Sequence, residues 1–348
     1  MPPIRKKVIY LDQFFFSHAF HGREPRFIEA AKRIRAVADQ QLLAAPYSSI
    51  HETETLLYSG RDELEEFIKD ASRGVEFSPS YRVKRTQIVR AFRAWLAGEP
   101  AGYVLKERDA IKGKLQEWEG YFRIDVGRIR NDPDDLRDRK QRAVDGLIDV
   151  FDSWRAGSES TFEQDLAAEY AAAATGLVDL YVDYVNRIGS GDVDAYLYAP
   201  VDSEIVASLM RGLPDQQSAP DRLRRCCEFL QSDHFKNTPR TLLSARLYAS
   251  LRDLVKHGAY VNREKARKRI SGIFFDIDHI ATYAPYCDAI ILDKAMAELV
   301  THRGVELGKR FPLRVFSLNN WDELLAWLDE IEAGAGDEHK AALAAIHA

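Results

Sequence analysis

The first apolar run of the chain is Lys7-Val8-Ile9-Tyr10-Leu11, which stops at Asp12-Gln13 and gives way to Phe14-Phe15-Phe16. It is short, rich in β-formers and without polar alternation, the pattern of a strand covered on both faces in a parallel sheet. From Arg26 to Asp39 the period changes, and Phe27, Ile28, Ala31, Ile34 and Val37 recur at helical spacing. A second short strand fits Leu42 to Tyr47. Ser48 or Ser49 then offers an N-cap, with Glu52 placed as a capping-box partner for Ser49. The helix that follows carries Glu54, Leu56 and Leu57. Strand, helix, strand, helix in this order predicts a right-handed βαβ unit.

That rhythm stops near Ser80. Up to Arg269 nearly every segment reads as helix: Tyr81 to Leu96, Leu105 to Arg123, Pro133 to Trp154, Thr161 to Ile188, Ser203 to Arg211, Pro220 to Ser232 and Thr241 to Lys256. Breaks fall at Gly98-Glu99-Pro100, Ala156-Gly157-Ser158 and Gly189-Ser190-Gly191, and no repeat of fixed period marks a solenoid. The α/β rhythm then returns. Asp276 to Tyr283 predicts a short helix, Ala289 to Leu292 a buried strand, Lys294 to Val300 a helix, Leu313 to Ser317 a strand and Trp321 to Ile331 a last helix. The expected architecture is one α/β domain made from both chain ends, residues 1–80 and 270–333, with an all-α insertion at 81–269 and a small, polar, peripheral tail at 334–348.

Composition narrows the function classes. With 30% charged and 46% hydrophobic residues the chain is an ordinary globular protein. A net charge of -5 argues against binding nucleic acid by bulk charge, while leaving room for a local basic strip. The three cysteines, Cys226, Cys227 and Cys287, have no zinc-ligand spacing and read as thiols in a reducing compartment. Met1 to Lys7 is basic, but the apolar run after it is too short for a signal peptide. The most apolar later stretch, Leu166 to Val185, carries Glu169, Asp179 and Asp183 and does not read as a membrane span. A cytoplasmic location with no membrane partner is expected.

Three carboxylates stand where ligand chemistry in an open parallel sheet belongs, outside the carboxyl ends of the strands. Asp12 directly ends the first strand, Glu54 lies early in the helix after the second, and Asp293 ends the strand Ala289 to Leu292. A fourth, Asp276 or Asp278, opens the short helix before that strand. Carboxylates gathered together repel unless protonated or neutralised, and a hard cation such as Mg²⁺ or Mn²⁺ is the usual remedy. Such an ion can activate water and stabilise charge developing on a phosphoryl group. Each residue also has a plainer reading. Asp12 and Asp293 can be helix N-caps, Glu54 a solvated neighbour of Glu52, and Asp276 and Asp278 first-turn charges favoured by the helix dipole. Asp288 precedes its strand and reads as structural. His51 and His279 fall near the site, but a lone histidine is more often a packed residue than a base.

On these residues the chain resembles the PIN-like nuclease domains. Val8-Ile9-Tyr10-Leu11-Asp12-Gln13 is similar to their opening strand with its terminal Asp, and Pro46-Tyr47-Ser48-Ser49-Ile50-His51-Glu52-Thr53-Glu54 to their second strand and following helix. There a Ser precedes the Glu ligand by six positions, as Ser48 precedes Glu54. Asp276-Ile277-Asp278-His279 and Pro285-Tyr286-Cys287-Asp288-Ala289-Ile290-Ile291-Leu292-Asp293 look like the C-terminal half. The resemblance implies a three-layer parallel-sheet fold and a metal-dependent endoribonuclease. In it Asp12, Glu54, Asp276 and Asp293 hold Mg²⁺ or Mn²⁺, with Asp278 in reserve for the third position. The helical insertion exceeds what a minimal domain of this kind contains. It is expected to act as a lid, an RNA-binding wall, or an interface with a second copy or another protein.

RNA as partner raises the question of basic groups. Arg82, Lys84, Arg85, Arg90 and Arg93 share one helical stretch, and Arg123, Arg128, Arg130, Arg137, Arg139, Lys140 and Arg142 are interleaved with acids. Arg263, Lys265, Arg267, Lys268 and Arg269 form the densest run, just ahead of Asp276. Any of these can hold a phosphate backbone or be an ordinary solvated face. Two other functions use the same carboxylates or the same fold: a small-molecule phosphoesterase, and a non-catalytic PIN-like scaffold or RNA-binding module.

Overall fold

The computed structural model describes the chain except at residues 23, 57, 59, 119–132, 158, 198–200, 271 and 348. It divides into two compact units. The first comprises Met1–Pro79, Lys106–Asp149 and Asn262–Ala348, the second Ser80–Leu105 and Val150–Val261.

The first unit is mixed α/β around a sheet of four parallel strands, β1 (Lys7–Leu11), β2 (Leu43–Ala44), β3 (Ala289–Ile291) and β4 (Arg314–Phe316), in the order β2-β1-β3-β4. Residues from the two ends of the chain therefore share one sheet: Ile9, Tyr10 and Leu11 lie in register with Ala289, Ile290 and Ile291. Both faces of the central strands are covered, which is why the runs show no alternation. Ile9, Leu11, Ala289 and Ile291 pack into one cluster with Phe15, Phe16, Phe27, Trp321 and Leu328. Tyr10 turns to the opposite face, against His51, His279 and Phe77. Truncating one of the buried phenylalanines to Ala is expected to cost about 3–5 kcal/mol.

Helix α1 (Gln13–His21) starts directly after Asp12, and α2 (Pro25–Asp39) fills the connection from β1 to β2. The second strand is shorter than the run Leu42 to Tyr47, and Tyr47 instead forms an isolated parallel bridge with Glu76. Helix α3 (Ser49–Thr55) is capped by Ser48, with His51 closing the capping box in place of the expected Ser49–Glu52 pair.

The helix expected over Leu105 to Arg123 is absent from the described part of that segment, which holds a single 3-10 turn, Glu107–Asp109. Ile111 then pairs antiparallel with Phe77, and Gly113 takes a left-handed φ of 76° that ends any helical path. The polar groups there serve long-range contacts: Lys6 N–H donates to Gln116 Oε1 at 2.7 Å, and Trp118 Nε1 donates to the Pro2 carbonyl at 2.7 Å. Beyond Gly334 a further helix, Asp337–His347, forms, and His339 Nε2 donates to the Gln40 carbonyl at 2.7 Å.

The described elements of the second unit are helices. Ser80–Leu96, Phe162–Gly189, Ser203–Arg211 and Ala219–Gln231 close on Ile88, Phe92, Leu177, Leu209 and Phe229. Thr161 caps the longest of these through a capping box with Gln164. The buried Asp165 is held by Arg252 Nε at 3.1 Å, by the Lys256 ammonium and by Ser160 Oγ at 2.8 Å. Among the described residues no helix is long and apolar enough to cross a membrane.

Candidate functional site

Parallel strands deliver their carboxyl ends to one edge of the sheet, and the aspartates follow there. Asp12 directly succeeds β1, and its backbone N–H donates to the Ile291 carbonyl of β3 at 3.3 Å. Asp293 follows β3 by two positions. Both also cap helices: Asp12 Oδ1 accepts from Gln13 N–H at 2.8 Å, and Asp293 Oδ1 accepts from Met296 N–H at 2.7 Å. The capping role and the site are thus compatible, since each cap uses Oδ1 and leaves Oδ2 for another partner.

Asp12 is buried, and burial pushes its pKa from 3.8 to about 7, with the negative charge of Asp293 adding to the rise and the Gln13 N–H opposing it. Glu54, near the end of α3, is buried as well. Asp276 lies in the first turn of the helix Ile273–Tyr283, its carboxylate folded over Gly272, where an added Cβ would stand 3.3 Å from Oδ2. The charges of these groups reach two tyrosines. Burial raises the Tyr10 pKa well above its ordinary value, and the charges of Asp12, Glu54 and Asp276 raise it further. Burial likewise raises Tyr58, again with Glu54, Asp12 and Asp276 contributing. Asp278 follows Asp276 by two residues, about 200° around the helix axis, so the two cannot share one face.

All four groups, Asp12, Glu54, Asp276 and Asp293, are hard anionic oxygen donors, the chemistry that suits Mg²⁺ or Mn²⁺. Burial is the first cause of the raised Asp12 pKa and the charge of Asp293 the second, and a bound cation would offset both. Among the described residues, no three His, Cys, Asp or Glu side chains stand close enough together to hold an ion as they are. The donor set fits the cation in kind, but among the described residues it is not gathered around one point.

Beneath the carboxylates lies a polar chain that sequence reading set aside. Tyr10 Oη and His279 Nδ1 are 2.5 Å apart, and Ser48 Oγ is 3.2 Å from His279 Nε2. Ser48 N–H donates to His51 Nδ1 at 3.2 Å, so His51 carries its proton on Nε2 and donates to the Leu11 carbonyl at 2.9 Å. Tyr10, Ser48, His51 and His279 are each 1% exposed, and every polar tip has a partner. Burial lowers the His51 pKa to about 4, the Leu11 bond opposing it, and pushes His279 well below its ordinary value, helped by His51. Both rings are neutral spacers at pH 7. The Ser48–His51 spacing was a readable signal for one of them, whereas no spacing in the sequence joins His279 to it.

The basic runs are largely answered by acids. In the helix Arg263–Arg269, Arg263 pairs with Asp149, Arg267 with Asp145 at 2.9 Å, and Arg269 with Glu298 at 3.8 Å. In the second unit Lys84 bonds Asp202 at 2.6 Å, and Arg90 lies over the Tyr103 ring at 4.8 Å. Arg123, Arg128 and Arg130 lie outside the described residues. At the opposite edge of the sheet Asp288 accepts from Lys7 Nζ at 2.7 Å and from Val8 N–H at 2.9 Å, tying β1 to the entry of β3.

Comparison with protein-family models, with curated proteins and with solved structures gave no match.

Proposed function

We propose that this chain is a PIN-like, metal-dependent phosphodiesterase acting on RNA. The observation that carries the reading is Asp12: a carboxylate at a strand end, buried beside Asp293 and sharing its surroundings with Glu54 and Asp276. Burying like charges together is costly, and the arrangement makes chemical sense when a cation joins it. In this reading Asp12, Glu54, Asp276 and Asp293 hold Mg²⁺ or Mn²⁺, with the position of Asp276 over Gly272 favouring it over Asp278. The bound cation supplies charge compensation at the phosphate and lowers the pKa of water. One of the four carboxylates takes the proton from the attacking water. The Ser48–His51 bond to the Leu11 carbonyl fixes the backbone from which Asp12 projects, and the neutral histidines add no charge there.

A second reading, a PIN-like scaffold without catalysis, is favoured by one observation: the carboxylates stand too far apart to share an ion without rearrangement. One experiment separates the two. Labelled single-stranded RNA and DNA are incubated with Mn²⁺, Mg²⁺ or EDTA and with wild type, Asp12→Asn or Asp293→Asn. The nuclease reading expects RNA cleavage that needs metal and falls by about a thousandfold or more in both variants. No cleavage together with no Mn²⁺ binding by calorimetry leaves the scaffold.

A further inference from the structure

A polar cavity of about 560 Å³ opens between the end of α3 and the start of the next helix, α4 (Arg61–Ala71), lined among others by Tyr58, Arg61, Asp62, Glu63 and Arg137. It adjoins the carboxylates: its wall includes Leu56, two residues beyond Glu54, and Tyr58 stands within the field of Glu54, Asp12 and Asp276. We infer that this cavity holds one nucleotide of a single-stranded RNA beside the bond to be cut, its base stacked on Tyr58 and its phosphate bound by Arg61 and Arg137. The inference rests on the nuclease reading above for what happens next to the cavity, but the binding itself does not require cleavage.

The lining matches that ligand group by group. Tyr58 keeps 37% of its surface exposed. An exposed ring at the wall of a cavity is a stacking surface for a base. Arg61 approaches Asp62 through Nε at 3.7 Å, too long for a hydrogen bond, and carries the planar fork that suits a phosphate. Arg137, exposed, faces the same space. Asp62 and Glu63 are acceptors for a ribose 2′-hydroxyl or a base amino group, which is how a protein distinguishes RNA and reads an edge. The volume lies within the usual range for small-ligand sites, roughly 300–1,000 Å³, and suits one nucleotide rather than a duplex. The two arginines are balanced by two acids. Recognition is therefore by stacking and directed hydrogen bonds, which also explains why a chain of net charge -5 can take a polyanion.

The test is fluorescence anisotropy with short fluorescein-labelled oligoadenylate and oligouridylate, using the full chain in EDTA so that nothing is cut. Tyr58→Ala is expected to weaken binding about tenfold, while Tyr58→Phe, which keeps the ring, stays within about twofold of wild type. One neutralised phosphate predicts a slope of log K against log salt of about -0.7, and Arg61→Gln or Arg137→Gln lowers its magnitude. Thermal midpoints of these exposed-site variants stay at the wild-type value. Unchanged binding in Tyr58→Ala overturns the inference, as does a Tyr58→Phe loss equal to that of Ala. If wild type binds in this pattern but cleaves with no metal, the cavity stands and the nuclease reading falls. If cleavage depends on Asp12 while Tyr58, Arg61 and Arg137 variants bind normally, the reverse holds.

Discussion

Asp165 in the helical unit and Asp12 in the α/β unit are both buried aspartates, 2% and 5% exposed, yet their neighbours carry opposite charge. Asp165 sits between Lys256 and Arg252 and accepts from Ser160, so its negative charge is answered within the protein. Asp12 has one backbone donor, and its charged neighbour is Asp293. Removing a carboxylate from water costs several kcal/mol in either place, and only the first arrangement offsets that cost with its own residues. The second is complete only with a proton or a cation from outside. The difference separates a charge that the fold pairs with cations from one that it buries beside another carboxylate.

The comparison is open to attack at both ends. The largest effect is expected from Lys256→Met, which leaves Asp165 buried with one cation fewer. Urea unfolding should show a loss of about 3–5 kcal/mol, and a loss below about 1 kcal/mol would break the contrast.

Asp12→Asn should act in the opposite direction. The folded-state pKa of Asp12 is about 7 against an ordinary 3.8, so the folded state holds the proton more tightly. That contribution is fully present below pH 4 and is lost as pH rises through 7. Above pH 8 and without metal the Asn variant should therefore exceed wild type by up to about 4 kcal/mol in urea unfolding. Mn²⁺ at a hundred times its Kd returns about 2.7 kcal/mol to wild type and nothing to the variant. A variant less stable than wild type at pH 8 contradicts the repulsion on which the site is built.

The smallest of the three concerns the buried histidines. His51 has a folded-state pKa near 4 against 6.5, and His279 is lowered too. Their contribution is present above pH 6.5 and is lost as pH falls towards 4, by about 3 kcal/mol for His51 alone. In wild type the gain at Asp12 runs against this loss. In Asp12→Asn the acid loss stands bare, so its unfolding midpoint should fall more steeply between pH 6.5 and 4.

How much of this was legible depended on whether a residue's role leaves a local trace. Strands β1 and β3 were readable because burial on both faces writes an unbroken apolar run. The capping aspartates were readable because each stands just past an apolar strand and just before a helix. The stretch after Leu105 was not readable, because Gln116 and Trp118 are fixed by Lys6 and Pro2, contacts that no window of the sequence contains. Helix α1 was hidden by its own aromatics, since Phe14, Phe15 and Phe16 read as a hydrophobic cluster before they read as a turn of helix. The histidine pair was missed for a similar reason: His279 acquires meaning only from Tyr10 and Ser48, far away along the chain. The third carboxylate was ambiguous between Asp276 and Asp278 because both fall in or next to the first turn of one helix, where a charge is also favoured by the helix dipole.

The pairing of β1 with the entry of β3 joins residues 280 positions apart, as in the bond between Val8 N–H and Asp288. At a synthesis rate of roughly 5–20 residues per second, the first strand waits tens of seconds for its partner. Through that interval Ile9 to Leu11 lack their β3 partner, and Asp12 has no Asp293 beside it. Contacts so distant in sequence are the slowest to close, because a long loop must be ordered before they return any stability. Whatever chemistry the carboxylates perform is therefore withheld from a nascent chain and begins only once its last strands have been made.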